Sequence, residues 1–264
     1  MTGSATALSA LASGPSPLWY ATRASGTAAL VLLTATVALG VAAGGRYAPP
    51  RIARFEVSAL HRNLSLLTLS FLGLHIATAV ADGYAHIGPA AAVVPFASAY
   101  RPLWVGLGAV ALDLLLAVGV TSALRHRLGR RRWKAVHWLA YGAWPVAMFH
   151  AAGTGTDTRL GAQLLLYAGC LLTVLAAVGW RLARAAGASG RRVRLWAVPA
   201  TALVPVVLTA FLAAGPLRPG WAHRAGGSVP ATAPARTPDR PSTSPTTTPQ
   251  PTTGEDDTEG GDGE

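Results

Sequence analysis

Residues 131–150 read Arg131-Arg-Trp-Lys-Ala-Val-His137-Trp-Leu-Ala-Tyr-Gly-Ala-Trp-Pro-Val-Ala-Met-Phe-His150, a basic start followed by an almost wholly apolar run. One histidine lies near each end of the apolar part, His137 and His150, with a sequence spacing of 150 − 137 = 13. At about 1.5 Å of rise per residue, a helix separates these side chains by roughly 20 Å, most of the hydrocarbon thickness of a bilayer. An imidazole inside an apolar span is costly without a partner, so both histidines are candidate functional residues.

A second stretch has the same arrangement. His61 and His75 have a spacing of 75 − 61 = 14, and the side chains between them are mostly apolar. Two spanning helices with a histidine near either end supply two pairs of axial ligands, which can hold two b-type haems one above the other. The alternative is four separate histidines, each hydrogen-bonded to a nearby carbonyl. We favour the haem interpretation because independent histidines rarely occur twice at nearly equal spacing in such apolar segments.

Helical geometry tests whether each histidine pair shares one face. At about 100° per residue, the step from His61 to His75 turns roughly 1400°, about 40° short of four turns, so the two face the same side. The step from His137 to His150 turns roughly 1300°, which leaves these side chains about 140° apart on a straight helix. Pro145 lies between them, and an interior proline kinks a helix. We therefore expect a local change of winding at Pro145.

These segments resemble the ferric reductase-like transmembrane domain. The similar motifs are Trp133-Lys-x-x-His137-x-x-x-Tyr141 closing with Phe-His150, and His61-Arg-x-Leu followed by Gly-Leu-His75. The resemblance covers roughly residues 25–185. The family includes NADPH oxidases, metalloreductases and the haem-binding subunit of the bacterial methionine sulfoxide reductase system. The resemblance implies that the 13-residue spacing of His137 and His150 is suited to haem ligation, as is the 14-residue spacing of His61 and His75.

Composition indicates a membrane protein. The chain is 51% hydrophobic and 12% charged, whereas a soluble domain has about 25% charged residues. The net charge of +11 would suggest a nucleic-acid partner in a soluble protein, but here the arginines lie in short loops between apolar runs, so we expect none. Cys170 is the single cysteine, which excludes an intramolecular disulfide and a cysteine-held iron–sulfur cluster. Any haem is therefore expected to be held by histidine.

Apolar runs predict an all-α membrane protein, a six-helix bundle in the cell membrane. The spans are expected near residues 26–44, 61–81, 102–124, 135–152, 161–181 and 195–215. The first, third and fifth loops carry most of the arginines, which places these loops in the cytoplasm and both termini outside. The second and fourth spans then run in the same direction. His61 is therefore level with His137 near the cytoplasm, and His75 with His150 near the outer face.

The remaining segments are expected to lie outside the bundle. Residues 1–25 are predicted to form a short, uncleaved extracytoplasmic tail, because they lack the basic start of a signal peptide. Residues 26–215 form the haem-binding transmembrane domain. Residues 216–264 are rich in proline and threonine, end in an acidic stretch, and are predicted to be a disordered extracytoplasmic tail.

Further candidates surround the histidines. Trp144 lies midway between His137 and His150 and is a candidate electron bridge; the alternative is simple packing. Asp113 is the one carboxylate deep in a span, a candidate proton relay or hydrogen-bond acceptor for a ligand histidine; the alternative is a bond to a neighbouring helix.

Basic residues are candidates to meet haem propionates: Arg62, Arg125, Arg132 and Lys134 at the inner face, and Arg101 or Arg159 at the outer face. Glycines in the spans are interpreted as close helix packing, among them Gly26, Gly40, Gly73, Gly108 and Gly142. The other histidines, His86, His126 and His223, are interpreted as surface residues. His86 is also a weak candidate for an outer acceptor site.

The motifs predict transmembrane electron transfer that depends on partners. No Gly-x-Gly-x-x-Gly motif opens a βαβ unit, so flavin and nicotinamide chemistry is expected on a partner and not on a domain of this chain. The expected donor is a membrane quinol or a cytosolic reductase, and the expected acceptor is a ferric chelate, oxygen or an extracytoplasmic redox partner. The alternative is a non-redox transporter or sensor component, whose histidines serve protons or packing.

Overall fold

The computed structural model describes residues 16–44, 53–83, 87–184 and 187–221. In these ranges the secondary structure is helical, with nine α-helices, a short 3-10 turn at Thr156–Arg159, and no strand. The helices are α1 (Pro17–Gly44), α2 (Arg54–Ala81), α3 (Pro89–Val93), α4 (Pro102–Ala123), α5 (Arg125–Leu128), α6 (Arg130–His137), α7 (Leu139–Thr154), α8 (Gly161–Arg184) and α9 (Gly187–Ala214). The all-helical prediction is confirmed for this part of the chain. Most of the tail predicted for residues 216–264 lies outside the described residues.

Four of the described helices are long and apolar enough to cross a membrane: α1, residues Phe55–Ala81 of α2, α4 and α8. The expected fourth and sixth spans correspond to shorter elements, the 16-residue α7 and the apolar Thr201–Ala214 part of α9. Large apolar side chains such as Leu165 (75% exposed) and Leu172 (64%) point away from the protein. Lipid, rather than water, is the natural solvent for such a surface.

The first helix begins at Pro17, well before the expected start at residue 26. Ser16 caps it: the backbone N–H of Trp19 donates to the Ser16 hydroxyl at 3.0 Å, and Pro17 occupies the first helical position, where its missing N–H costs nothing. Residues 17–25, expected in a tail, therefore belong to the helical body. This matters because several of them line the site described below.

Two antiparallel helix pairs form the frame of the site. In the first, α1 packs along α2, so that Thr22 near the start of α1 meets His75 near the end of α2, and Thr36 meets His61. In the second, Trp104 near the start of α4 meets His150 near the end of α7. A buried core joins α1 to α7 and α8, and includes Leu33, Val37, Trp144, Met148 and Cys170.

The stretch that contains the third and fourth histidines is two helices and not one. Helix α6 ends at His137, Trp138 forms the break, and α7 runs from Leu139 to Thr154 with Pro145 inside it. The expected change of winding therefore occurs directly after His137, whereas α7 continues through Pro145. Because His137 and His150 belong to different helices, the angular mismatch of a single straight helix does not arise.

Candidate functional site

The four histidines of the spans form two facing pairs. The ring centroids of His61 and His137 are 6.3 Å apart, with 70° between the ring planes. Those of His75 and His150 are also 6.3 Å apart, at 77°. The structure thus brings α2 and the α6–α7 segment together twice, once near each end of α2.

The centroid separation within each pair is compatible with one metal ion between two imidazoles. A metal–imidazole nitrogen bond is about 2.0–2.1 Å long, and the nitrogen lies about 1.1 Å from the ring centroid. Two such bonds in line therefore place the centroids about 6.2–6.4 Å apart. The observed 6.3 Å in both pairs falls within this range.

Backbone carbonyls fix three of the four rings. The Nδ1 atom of His61 is 3.1 Å from the carbonyl oxygen of Thr36. In the other pair, His75 Nδ1 is 2.8 Å from the Thr22 carbonyl oxygen, and His150 Nδ1 is 2.7 Å from the Trp104 carbonyl oxygen. A carbonyl only accepts, so Nδ1 of each ring must donate and carry the proton. The Nε2 lone pair is then available for a metal, and the hydrogen bond both orients the ring and raises its basicity.

Each of these carbonyls is followed one helical turn later by a glycine against which the ring lies. A Cβ atom on Gly26 would be 2.8 Å from Cε1 of His75, one on Gly40 3.0 Å from Cε1 of His61, and one on Gly108 2.6 Å from Cε1 of His150. Ordinary carbon–carbon contacts are about 3.5–4.0 Å. We call each carbonyl with its glycine a histidine socket: Thr22/Gly26, Thr36/Gly40 and Trp104/Gly108.

Composition alone does not distinguish these three glycines from the others in the spans. A Cβ on Gly73 or Gly142 would meet nothing within 4 Å. One signal was present in the sequence, however: Gly26 and Gly40 have the same spacing, 40 − 26 = 14, as His61 and His75 on the neighbouring helix. Two glycines at the spacing of two histidines indicate a neighbouring helix that makes room for both rings.

A cavity of about 970 Å³ opens beside the His75–His150 pair. This is at the upper end of the volumes typical of cofactor and ligand pockets, about 300–1,000 Å³. Much of its wall is apolar and comes from α1, α2 and α4, including Leu30, Leu33, Leu72, Ile76, Val105 and Leu112. Its polar lining includes Trp19, Arg23, Asp82, Tyr100, Asp157 and Gln163.

Arg23 lines this cavity, although the sequence predicts a tail for residues 1–25. Its guanidinium pairs with the Asp157 carboxylate and lies 4.8 Å from the ring centroid of Trp19. Arg101, which the sequence suggested for this end, has a different position. It is 3% exposed, and its Nη1 donates to the carbonyls of Gly153 and Thr154 at the end of α7.

The other sequence candidates have the following positions. Trp144 is 3% exposed, and its Nε1 donates to the Thr34 hydroxyl at 2.9 Å, between the two sockets of α1. Asp113 is half-buried on α4. It is not the acceptor of the three Nδ1 hydrogen bonds described above, which go to backbone carbonyls. The inner basic candidates are exposed, Arg62, Arg125, Arg132 and Lys134, as is Arg159 near the other end. His126 is exposed, whereas His86 and His223 lie outside the described residues.

Comparison with known proteins identifies the family of this chain. Residues 25–148 match the family model described as the ferric reductase like transmembrane component. The chain is also 31% identical over 178 residues to the protein-methionine-sulfoxide reductase heme-binding subunit MsrQ of Ralstonia nicotianae. The aligned region covers 66% of this chain and 76% of the relative. No solved structure matches the chain. The chain therefore belongs to the ferric reductase-like transmembrane family.

Proposed function

We propose that this protein carries electrons across the membrane through two b-type haems, one held by His61 and His137 and the other by His75 and His150. The observation that supports this most directly is the repeated 6.3 Å separation of facing imidazoles at two levels of one frame. The similar MsrQ protein is named as a heme-binding subunit, which supports the same cofactor here. Each haem, when bound, supplies a one-electron iron couple.

The residues of this chain bind and orient the cofactor and keep its surroundings dry. Nδ1 donation to Thr22, Thr36 and Trp104 presents Nε2 of three rings to the metal position. When a haem is bound, two neutral imidazoles at each site would hold its iron and would favour the low-spin state. The largely apolar wall of the cavity beside His75 and His150 would surround a bound haem with low-polarity side chains.

We propose that the His61–His137 pair lies at the cytoplasmic side. Helices α5 and α6 join the His137 end of the frame and carry a dense group of exposed basic residues, Arg125, Arg127, Arg130, Arg131, Arg132 and Lys134. Such groups remain in the cytoplasm. In this topology the bundle has six spans, both termini are extracytoplasmic, and His75 and His150 lie near the outer face.

We propose a separate donor and a partner acceptor. Electrons enter from a membrane quinol or a cytosolic reductase and leave at the outer face. The name of the Ralstonia relative refers to a reductase of methionine sulfoxide in proteins, so a partner oxidoreductase is the acceptor that we favour. The polar lining beside His75 and His150, with Arg23 and Asp157, provides charged groups at the exit.

A reduced-minus-oxidised optical spectrum of the purified full chain tests the proposal, together with chemical quantification of haem per polypeptide. We expect a sharp b-type spectrum and about two haems per chain, since there are two histidine pairs. A well-folded protein with a featureless spectrum would refute the proposal and would favour the non-redox membrane protein.

A further inference from the structure

His137 differs from the other three histidines in its support. Its Nδ1 atom is buried and has no hydrogen-bond partner among the described residues, whereas the other three Nδ1 atoms reach backbone carbonyls. A buried polar atom without a partner is unusual and needs an explanation. The explanation lies in the sequence of α4.

Helix α4 offers no histidine socket at the level of His137. The socket of His150 is Trp104/Gly108, and His137 precedes His150 along the α6–α7 segment. Because α4 is antiparallel to α7, the equivalent carbonyl lies a similar interval after Trp104, at Ala117 or Val118. Both carbonyls accept from the Thr121 hydroxyl, at 2.6 and 3.2 Å. One helical turn later the chain has Thr121 and Ser122, and neither is a glycine.

An indole ring takes the place of the missing socket. Trp133 lies one turn before His137 on α6, and side chains one turn apart are neighbours on a helix face. Its ring centroid is 5.1 Å from that of His137, with 33° between the planes. The Nε1 atom of Trp133 donates to the Ser122 hydroxyl at 3.3 Å. The ring is thus fixed to α4 at the position where a glycine would complete a socket.

We propose that Trp133, anchored by Ser122, is the positioning residue of His137. Stacking against the indole fixes the plane of the imidazole, while the hydroxyl fixes the indole. This inference rests on the proposed function, since it concerns a haem ligand. It identifies His137 as the ligand whose orientation depends on a side chain, whereas His61 in the same site is held by the main-chain carbonyl of Thr36.

The test compares Trp133→Ala, Trp133→Phe and Ser122→Ala in the purified full chain, with Phe55→Ala as the matched control. Phe55 is an aromatic residue on α2, near the His61 end of the frame, and is 74% exposed. The readouts are haem per polypeptide and the low-temperature EPR signals of the two low-spin haems. The signal of the His61–His137 site is assigned from His61→Ala.

For Trp133→Ala we expect a changed signal from the His61–His137 site alone and about two- to tenfold weaker haem retention there, the range that one aromatic contact implies. Trp133→Phe should preserve most of the signal, because it keeps a ring against His137. Ser122→Ala should have a smaller effect than Trp133→Ala. It should have no further effect in a Trp133→Phe background, because the hydroxyl acts through the indole nitrogen.

The outcomes separate this inference from the proposed function. If the unmodified protein binds no haem, the proposed function fails. If it binds two haems and Trp133→Ala leaves both signals unchanged, the inference is wrong while the function stands. Equal loss of both haems in Trp133→Ala, or an equal effect of Phe55→Ala, would also overturn it, because either result indicates a general structural role.

Discussion

Replacement of Gly108 by alanine tests whether the histidine sockets position the haem ligands. The new Cβ would be 2.6 Å from both Cε1 and Nδ1 of His150, so the ring must move by about 0.9 Å to reach an ordinary contact of about 3.5 Å. A side-chain rotation allows this movement, so we expect the protein to fold. The same movement lengthens the 2.7 Å hydrogen bond to the Trp104 carbonyl and displaces Nε2.

Metal–ligand distances tolerate only about ±0.2 Å, so the displacement should weaken or break the bond from His150 to the iron. Overpacking of this kind typically costs about 1–3 kcal/mol, which corresponds to about 5- to 150-fold weaker retention of the haem at the His75–His150 site. Haem titration and the fraction of high-spin iron in the optical spectrum measure the effect. Gly26→Ala and Gly40→Ala should act in the same sense, and Gly40→Ala most weakly because its Cβ would be 3.0 Å from His61.

Gly73→Ala and Gly142→Ala are the matched controls, because a Cβ at either position meets nothing within 4 Å and alanine favours a helix over glycine. Both should retain two low-spin haems. If Gly108→Ala also retains both with unchanged spectra, the sockets do not position the ligands and these glycines serve only helix packing.

The pairing, the loop charges and the ring planes each give a further prediction. His61→Ala and His137→Ala should each perturb the same spectral component. The double variant should keep about one haem, because the other pair lies roughly 20 Å away along the helices. Different components for the two single variants would refute the pairing. A reporter fused after Glu264 should be active outside the membrane, and a reporter inserted in the loop 125–134 should be active inside. The reverse pattern would place the His61–His137 pair at the outer face and the His75–His150 pair at the inner face. The near-perpendicular ring planes, at 70° and 77°, should give strongly anisotropic low-spin EPR signals, whereas ordinary rhombic signals would mean that the rings rotate on binding.

The sequence was sufficient for the features that depend on side-chain type and spacing. His61, His75, His137 and His150 are recognisable because imidazoles are costly in apolar spans and recur at nearly equal spacing. Family membership and an all-helical body were predictable from the same apolar runs and motifs. The depth of each pair followed from arginine counts in the loops, and it remains a prediction.

The support of the ligands could not be read in the same way. A backbone carbonyl is present at every residue, so nothing in the sequence marks those of Thr22, Thr36 and Trp104 as acceptors. Arg23 was not predictable as a cavity residue because the composition of residues 1–25 favours a tail, whereas Ser16 and Pro17 begin a helix there. These features depend on which helices pack together and in which register.

The break at Trp138 explains how the spacing of His137 and His150 can serve two levels of one frame. Had α6 and α7 been one straight helix, His137 would have faced about 140° away from His150, and one of the pairs could not have formed. Instead His137 is the last residue of α6, a short helix rich in arginine at the basic end of the frame. Three of the four proposed ligands thus lie on helices of the frame, with their rings hydrogen-bonded to main-chain carbonyls. The fourth lies on a surface helix and contacts Trp133, so changes at the basic surface should reach the haem iron of that site first.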